Sequence, residues 1–399
     1  MNVMCENSQS REFRAVWIAT VTNIDWPSQK GLTVEQQKEE YLKLLNDVTE
    51  MGMNAVVVQI KPTADAFYPS AYGPWSEYLT GVQGKDPGYD PLCFLLEEAH
   101  RRDLEFHAWF NPYRITMNHT DLNRLSADHP ARKHPDWVVA YGSQLFYNPG
   151  IPKAQDFIVK GIEEVVKNYD IDAVHMDDYF YPYKIAGKEF PDFDTYEQYG
   201  KDRFANIEDW RRDNVNQLVK QINSAIKKQK PNVKFGISPF GVWRNKADDP
   251  TGSNTTAGMT NYDDLYADTR EWIQKGYLDY IAPQIYWSIG FAPAAYDILV
   301  DWWKNEVNNR PVHLYIGQAA YKINNNSDPA WSDPEEYPRQ IALNRTSHVS
   351  GSIHFSLKDL NRNPLGVKDR LTSDLYRTPA LIPEMPWLNS KRETSHDPS

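Results

Sequence analysis

Eight times along the chain a short run of aliphatic, β-branched and aromatic residues ends in polar side chains and gives way to a helical pattern. That alternation restricts the fold more than anything else in the sequence. The runs are RAVWIATV from Arg14, NAVVVQIKP from Asn54, LEFHAWFNPYR from Leu104, DAVHMDDYFYP from Asp172, VKFGISPFG from Val233, DYIAPQIYW from Asp279, VHLYIGQAAY from Val312 and GSIHFSLKDL from Gly351. Between the first two, VEQQKEEYLKLLNDVTEMG places Tyr41, Leu44, Leu45 and Val48 on one helical face, and Gly52 stops it. PLCFLLEEAHRRD, AQDFIVKGIEEVVKNY, NVNQLVKQINSAIKKQ, YDDLYADTREWIQKG, AAYDILVDWWKNEV and EEYPRQIALNRT fill the later intervals in the same way. Strand and helix in strict turn predict a parallel sheet. Eight units predict an α/β fold closed into a single (β/α)8 TIM barrel. An open doubly wound sheet would show fewer units and often a Gly-rich phosphate turn after the first strand. Here that strand runs into VTNIDWPSQKG, without GxGxxG, and no Walker loop occurs.

The 399 residues, 41% of them hydrophobic, suit one barrel with insertions. Its expected limits are residues 13–378. Residues 1–12 form a polar lead-in, and 379–399 a C-terminal extension whose last dozen or so residues read as disordered. Two intervals are long, Asn111 to about Pro152 and Tyr181 to about Asp209. Both follow strands, the third and fourth, so both are expected as extended loops on the catalytic face, shaping a cleft.

A net charge of -11 and the lack of any basic run argue against a nucleic-acid partner. A glycan tolerates an acidic protein. Trp 13, Tyr 24 and Phe 15 are many, and a good share fall in loop-like stretches, where a flat ring can cover the apolar face of a sugar as readily as fill a core. Two cysteines, Cys5 and Cys93, exclude a disulfide framework. No segment is long and apolar enough for a transmembrane span or a signal-peptide core. Cys5, followed by a short polar tether, suits a lipid anchor, which would place the protein among exported, periplasmic or outer-membrane-anchored lipoproteins; an ordinary N-terminal cysteine fits equally well.

In such a barrel the chemistry sits at the C-terminal ends of the strands. Those ends offer Gln59, Lys61 and Asp65 after the second strand, and Trp109, Asn111, Tyr113 and Arg114 after the third. The fourth carries His175, Asp177, Asp178 and Tyr179; the fifth Ser238, Trp243 and Arg244; the sixth Gln284, Tyr286 and Trp287; the seventh Tyr321 and Lys322; the eighth Lys358. Carboxylate, amide and aromatic groups of this kind line sugar sites. The ring lacks a His-x-His pair and cysteines, so no metal and no cofactor is expected. His107 and His175 on neighbouring strands read as hydrogen-bonding residues before metal ligands.

MDDYFYP is the sharpest feature. Two adjacent anions raise at least one pKa or demand cationic partners, a cost met mostly at functional sites. Strand alternation points His175 and Asp177 one way and Asp178 the other, so Asp177 is expected to reach substrate. Glycoside hydrolysis usually takes two carboxyl groups. The partner candidates are Asp263 and Asp264 in NYDDLYADTREW, and Asp65; the first two also suit the first turn of a helix.

Taken with FRAVWIATVTNIDWPS, NAVVVQIKPTADAFYPS, AWFNPYR, YNPG, DAVHMDDYFYPY, GISPFGVWRN, YDDLYADTREWIQKGYLDYIAPQIYW and GSIHFSLKDL, the chain resembles the glycosyl hydrolase-like 10 family from about Arg11 to Pro386. The resemblance implies a bacterial secreted or lipoprotein barrel hydrolysing a cell-wall or dietary polysaccharide, some relatives cutting peptidoglycan strands that lack stem peptides. The family is similar to the α-amylase-like barrels, whose fourth strand carries Arg-x-Asp with a nucleophilic Asp. The matching positions are His175 and Asp177, so the Asp is kept and the Arg is not. Their fifth-strand acid/base Glu has no counterpart in VKFGISPFG. A glycan-binding barrel without catalysis, and a metal-dependent deacetylase using His175, Asp177 and Asp178, are the alternatives.

Overall fold

The computed structural model describes residues 10–388. Cys5 and the expected disordered tail lie outside the described residues. Strands β1 (Phe13–Ile18), β2 (Ala55–Lys61), β3 (Glu105–Phe110), β4 (Ala173–Met176), β5 (Lys234–Ile237), β6 (Tyr280–Ile281), β7 (His313–Ala319) and β8 (Gly351–Phe355) form one closed parallel barrel. Closure runs through β1 against β8, Phe13 opposite Gly351. Helices α1 (Val34–Glu50), α2 (Pro91–Arg101), α3 (Pro152–Asn168), α4 (Ile207–Gln229), α5 (Thr269–Lys275), α6 (Tyr296–Val307) and α7 (Glu336–Thr346) surround it. Helix α1 begins in a capping box between Thr33 and Gln36 and buries Tyr41, Leu45 and Val48, with Leu44 half-buried.

Alternation along the strands sorts the core in two. Phe13, Ala15, Trp17, Ala55, Val57, Trp109, Ala173, Tyr280, Tyr315 and Ile353 fill the barrel, while Val16, Ile18, Val56, Val58, Phe106, Val174 and Phe235 face the helices. A polar chain threads this interior. The Tyr280 hydroxyl lies 2.8 Å from His107 Nδ1 and 2.7 Å from His175 Nδ1. His107 Nε2 reaches Glu105, which also takes the Lys234 ammonium. Burial pushes Glu105 upward, yet His107 and Lys234 bring it down to about 2. Gly236 makes room for Tyr280, since a Cβ there would stand 2.0 Å from the phenol ring.

Residues 381–388 close the floor. Leu381 bridges to Arg11, Met385 and Leu388 bury into the barrel interior, and the Trp387 indole donates to Asp279 at 2.9 Å. At the opposite mouth the two long loops are structured. The first folds into an antiparallel hairpin, Val138–Tyr141 against Gln144–Tyr147, and Arg114 bridges to Phe146, which anchors Arg114 at the mouth. No periodic signal in the sequence marks this hairpin. The second loop is tied down by the buried Arg211–Asp192 pair, with contacts of 2.6 and 3.0 Å.

Candidate active site

A cavity of about 540 Å³ opens at the C-terminal mouth of the barrel. Asp177 and Asp178 both line it. The alternation that would have turned Asp178 away holds only in extended strand, and β4 ends at Met176. Past that point the backbone is free to present consecutive carboxylates to one space.

Asp177 is held by three N–H donors. Trp109 Nε1 at 3.0 Å and Asn111 Nδ2 at 2.8 Å reach Oδ2, and the Tyr179 amide reaches Oδ1 at 3.0 Å. Asn111 is aimed in turn by Gln59, whose amide donates to Asn111 Oδ1 at 2.6 Å and whose own oxygen accepts from the Thr20 and Val21 amides. Burial raises the Asp177 pKa, opposed by the Arg114 charge and by these donors. Asp178 accepts from the Tyr183 hydroxyl and from Gln284 Nε2 at 2.9 Å. Burial, then the charge of Asp177, push it up to about 6. The two carboxyl groups sit side by side, both raised by burial, and titrate as a coupled pair.

Aromatic rings wall the space. Tyr179 stacks on Tyr183 at 5.2 Å, and Tyr183, Phe240 and Trp287 continue the arc edge to face. Tyr286, Tyr321, Phe355 and Trp17 close the far side. Arg114 stacks over Tyr179, and Lys322 Nζ donates to the Tyr286 carbonyl.

Of the residues singled out in the sequence, Gln59, Trp109, Arg114, Asp177, Asp178, Tyr179, Ser238, Gln284, Tyr286, Trp287, Tyr321 and Lys322 line this cavity. Asn111 and His175 stand just behind it. His175 Nε2 accepts from the Trp17 indole and faces Ser238, while Nδ1 meets Tyr280, so both nitrogens are engaged within the protein. That arrangement leaves His175 no lone pair for a metal, and among the described residues no group of three or more His, Cys, Asp or Glu side chains is placed to hold one.

Other residues are not brought to the cavity. A bulge between Gln59 and Lys61 pairs Lys61 with the outward Phe110, turning the lysine into the helix layer, where burial lowers it to about 8. Asp65 is buried under its loop, bonded to Thr63 and Gln83. Tyr113 is buried on the helix side. Trp243 stacks on Trp302 beneath Arg270. Lys358 gives only its backbone amide, to Asp25. Asp263 pairs with Arg244 and Asp264 with Lys184, at the one-turn helix Asn261–Asp264.

Conversely, Trp17, Tyr183, Phe240 and Phe355 line the cavity without having stood out. Trp17 and Phe355 fall on the inward parity of their strands, which was there to be counted; Tyr183 lies in a loop with no periodic signal. A second hollow, about 670 Å³, lies at the N-terminal face, but its Arg14 and Arg345 are both taken by Glu12.

A family model described as glycosyl hydrolase-like 10 matches residues 12–333. The chain belongs to that family. It is 80% identical over 386 residues to "Glycosyl hydrolase YngK" of Bacillus subtilis, covering 96% of this chain and 76% of the relative. It is 41% identical over 374 residues to "Glycosyl hydrolase DigH" of Escherichia coli, covering 88% and 84%. Among solved structures, the glycoside hydrolase domain of PgaB (BpsB) from Bordetella bronchiseptica superposes with a TM-score of 0.59 at 13% identity, covering 93% of this chain and all of that one. An endo-1,4-β-mannanase from Rhizomucor miehei superposes at 0.55 and 11% identity, covering 93% and 96%. At those identities the likeness shows the barrel alone.

Proposed function

We propose that this member of the glycosyl hydrolase-like 10 family hydrolyses glycosidic bonds in a bacterial cell-wall or dietary polysaccharide, with Asp178 as proton donor and Asp177 as its anionic partner. One observation carries the reading. Two adjacent carboxyl groups, both raised by burial and titrating as a pair, open into a single aromatic-walled cavity of about 540 Å³. The Asp178 carboxyl protonates the leaving oxygen; Asp177, fixed by Trp109 and Asn111, stabilises the positive charge that grows at the sugar. The rings of Tyr179, Tyr183 and Trp287 offer flat faces to sugar residues.

The test is release of new reducing ends from a panel of wall and plant glycans by the wild type and by Asp177→Asn. Turnover is expected to fall by ~10³-fold or more in a variant that keeps its fold and its glycan affinity. Undiminished turnover in the variant refutes the assignment. On the same reading the enzyme works outside the cytoplasm, held by a lipid on Cys5; a Cys5→Ser chain still found with membranes would refute the anchor.

A further inference from the structure

Substitution at an anomeric carbon needs a group on the ring face opposite the leaving oxygen. Protein carboxylates that fill this role lie about 5–5.5 Å from the acid in retaining enzymes and roughly 6.5–9.5 Å in inverting ones, on the two sides of the sugar. Here both carboxyl groups come from consecutive residues of one wall, at the end of β4, their Cα atoms about 3.8 Å apart. The barrel order places β8, flanked by β1 and β7, across from β4. That side gives the cavity Trp17, Ile24, Tyr321, Lys322 and Phe355. Among the described residues no carboxylate other than Asp177 and Asp178 lines the cavity. Among the described residues, the cavity thus holds both of its carboxyl groups on one side and no carboxylate nucleophile or base on the other.

We propose that the substrate supplies the nucleophile itself, through the carbonyl oxygen of a 2-acetamido group on the sugar at the cleavage point. The proposal rests on the glycoside-hydrolase reading of this same site. The acetamido oxygen bonds to C1 as the bond from C1 to the leaving oxygen breaks. The Asp178 proton passes to that leaving oxygen. The resulting oxazolinium ion carries its positive charge on the ring that includes the amide nitrogen, and Asp177 accepts that N–H. Water then gives a proton to the Asp178 carboxylate and its oxygen to C1, reopening the ring and restoring the amide with net retention. Asp177 suits its part because Oδ2 is occupied by Trp109 and Asn111 while Oδ1 takes only the Tyr179 amide, leaving that oxygen able to accept another N–H. The apolar wall of Trp17 and Phe355, 5.8 Å apart, suits an acetamido methyl.

The experiment uses the whole chain and three matched sets of glycans: N-acetylglucosamine oligomers and peptide-free wall strands, their N-trifluoroacetyl forms, and their N-deacetylated forms. The trifluoroacetyl carbonyl is similar in size but a poorer nucleophile. The expected result is a kcat at least ~10-fold lower for the trifluoroacetyl form, with binding to Asp178→Asn within ~3-fold of the acetyl form, and no turnover of the deacetylated form. The first-formed anomer, followed by NMR, is expected to keep the configuration of the bond cut. Equal rates across the sets, or inversion, overturn the proposal while leaving a glycoside hydrolase in place. Failure to cut any glycan overturns both.

Discussion

Asn111→Ala probes the support behind Asp177, the proposed catalytic anion. The substitution removes the 2.8 Å N–H donor from Asp177 Oδ2 and leaves only Trp109 on that oxygen. It also strands Gln59 Nε2, whose 2.6 Å acceptor was Asn111 Oδ1, in a fully buried position. A hydrogen bond to a charged group contributes about 1.5–3 kcal/mol, and a stranded buried amide costs about 1–3 kcal/mol. The first quantity enters the rate on the proposed mechanism, in which Asp177 is an ordered anion in the transition state; it corresponds to a roughly 10- to 150-fold loss of kcat/KM. The second enters stability. Initial rates on the best wild-type glycan, across pH 4–8, give the first, and urea unfolding the second. The loss is expected to be greatest at the acid end, where Asp177 without its donor protonates sooner. Unchanged kcat/KM at pH 5, with a destabilised fold, would refute the claim that Asn111 acts on the site through Asp177.

Four further outcomes follow from the same geometry. If Asp178 is the proton donor as proposed, kcat/KM is expected to fall as pH rises through about 6, and a flat profile to pH 8 would count against it as the acid. A carboxyl whose pKa is raised on folding lends stability below its unfolded value that is lost as pH rises through the folded one, so Asp178→Asn is expected to be more stable than wild type at pH 7.5, by ~1–3 kcal/mol in urea unfolding. Gly236→Ala sets a methyl 2.0 Å from the Tyr280 ring and should destabilise by ~3 kcal/mol or more, visible as a lowered Tm or loss of soluble protein; Met385→Ala, at the barrel floor, should cost ~2–3 kcal/mol, and no change would show that the C-terminal segment does not close the floor.

The barrel was legible because a buried parallel strand and its covering helix leave two different periods in the sequence, eight times over. The strand-four acids were legible because MDDYFYP ends an apolar run. Three departures have local physical causes. A bulge after Gln59 reverses the side on which Lys61 emerges, and nothing in IKPTAD marks it. The end of β4 at Met176 cancels the alternation rule one residue before it was applied to Asp177 and Asp178. The hairpin at Val138–Tyr147 and the loop that brings Tyr183 to Asp178 depend on contacts between distant segments, Arg114 with Phe146 and Arg211 with Asp192, which carry no period. The second acid expected at Asp263 or Asp264 is not at the cavity: those side chains pair with Arg244 and Lys184, and among the described residues Asp177 and Asp178 alone supply carboxylates to its lining.

The most direct measurement is a crystal structure of Asp178→Asn with a bound oligosaccharide that the wild type cleaves. The account predicts a glycosidic oxygen within about 3.2 Å of the residue 178 side chain, Asp177 against the substituents of the same sugar, and rings of Tyr179, Tyr183 or Trp287 against its faces. An oligosaccharide bound with its scissile bond away from the β4 pair, or one held only at the outer rim, would contradict it.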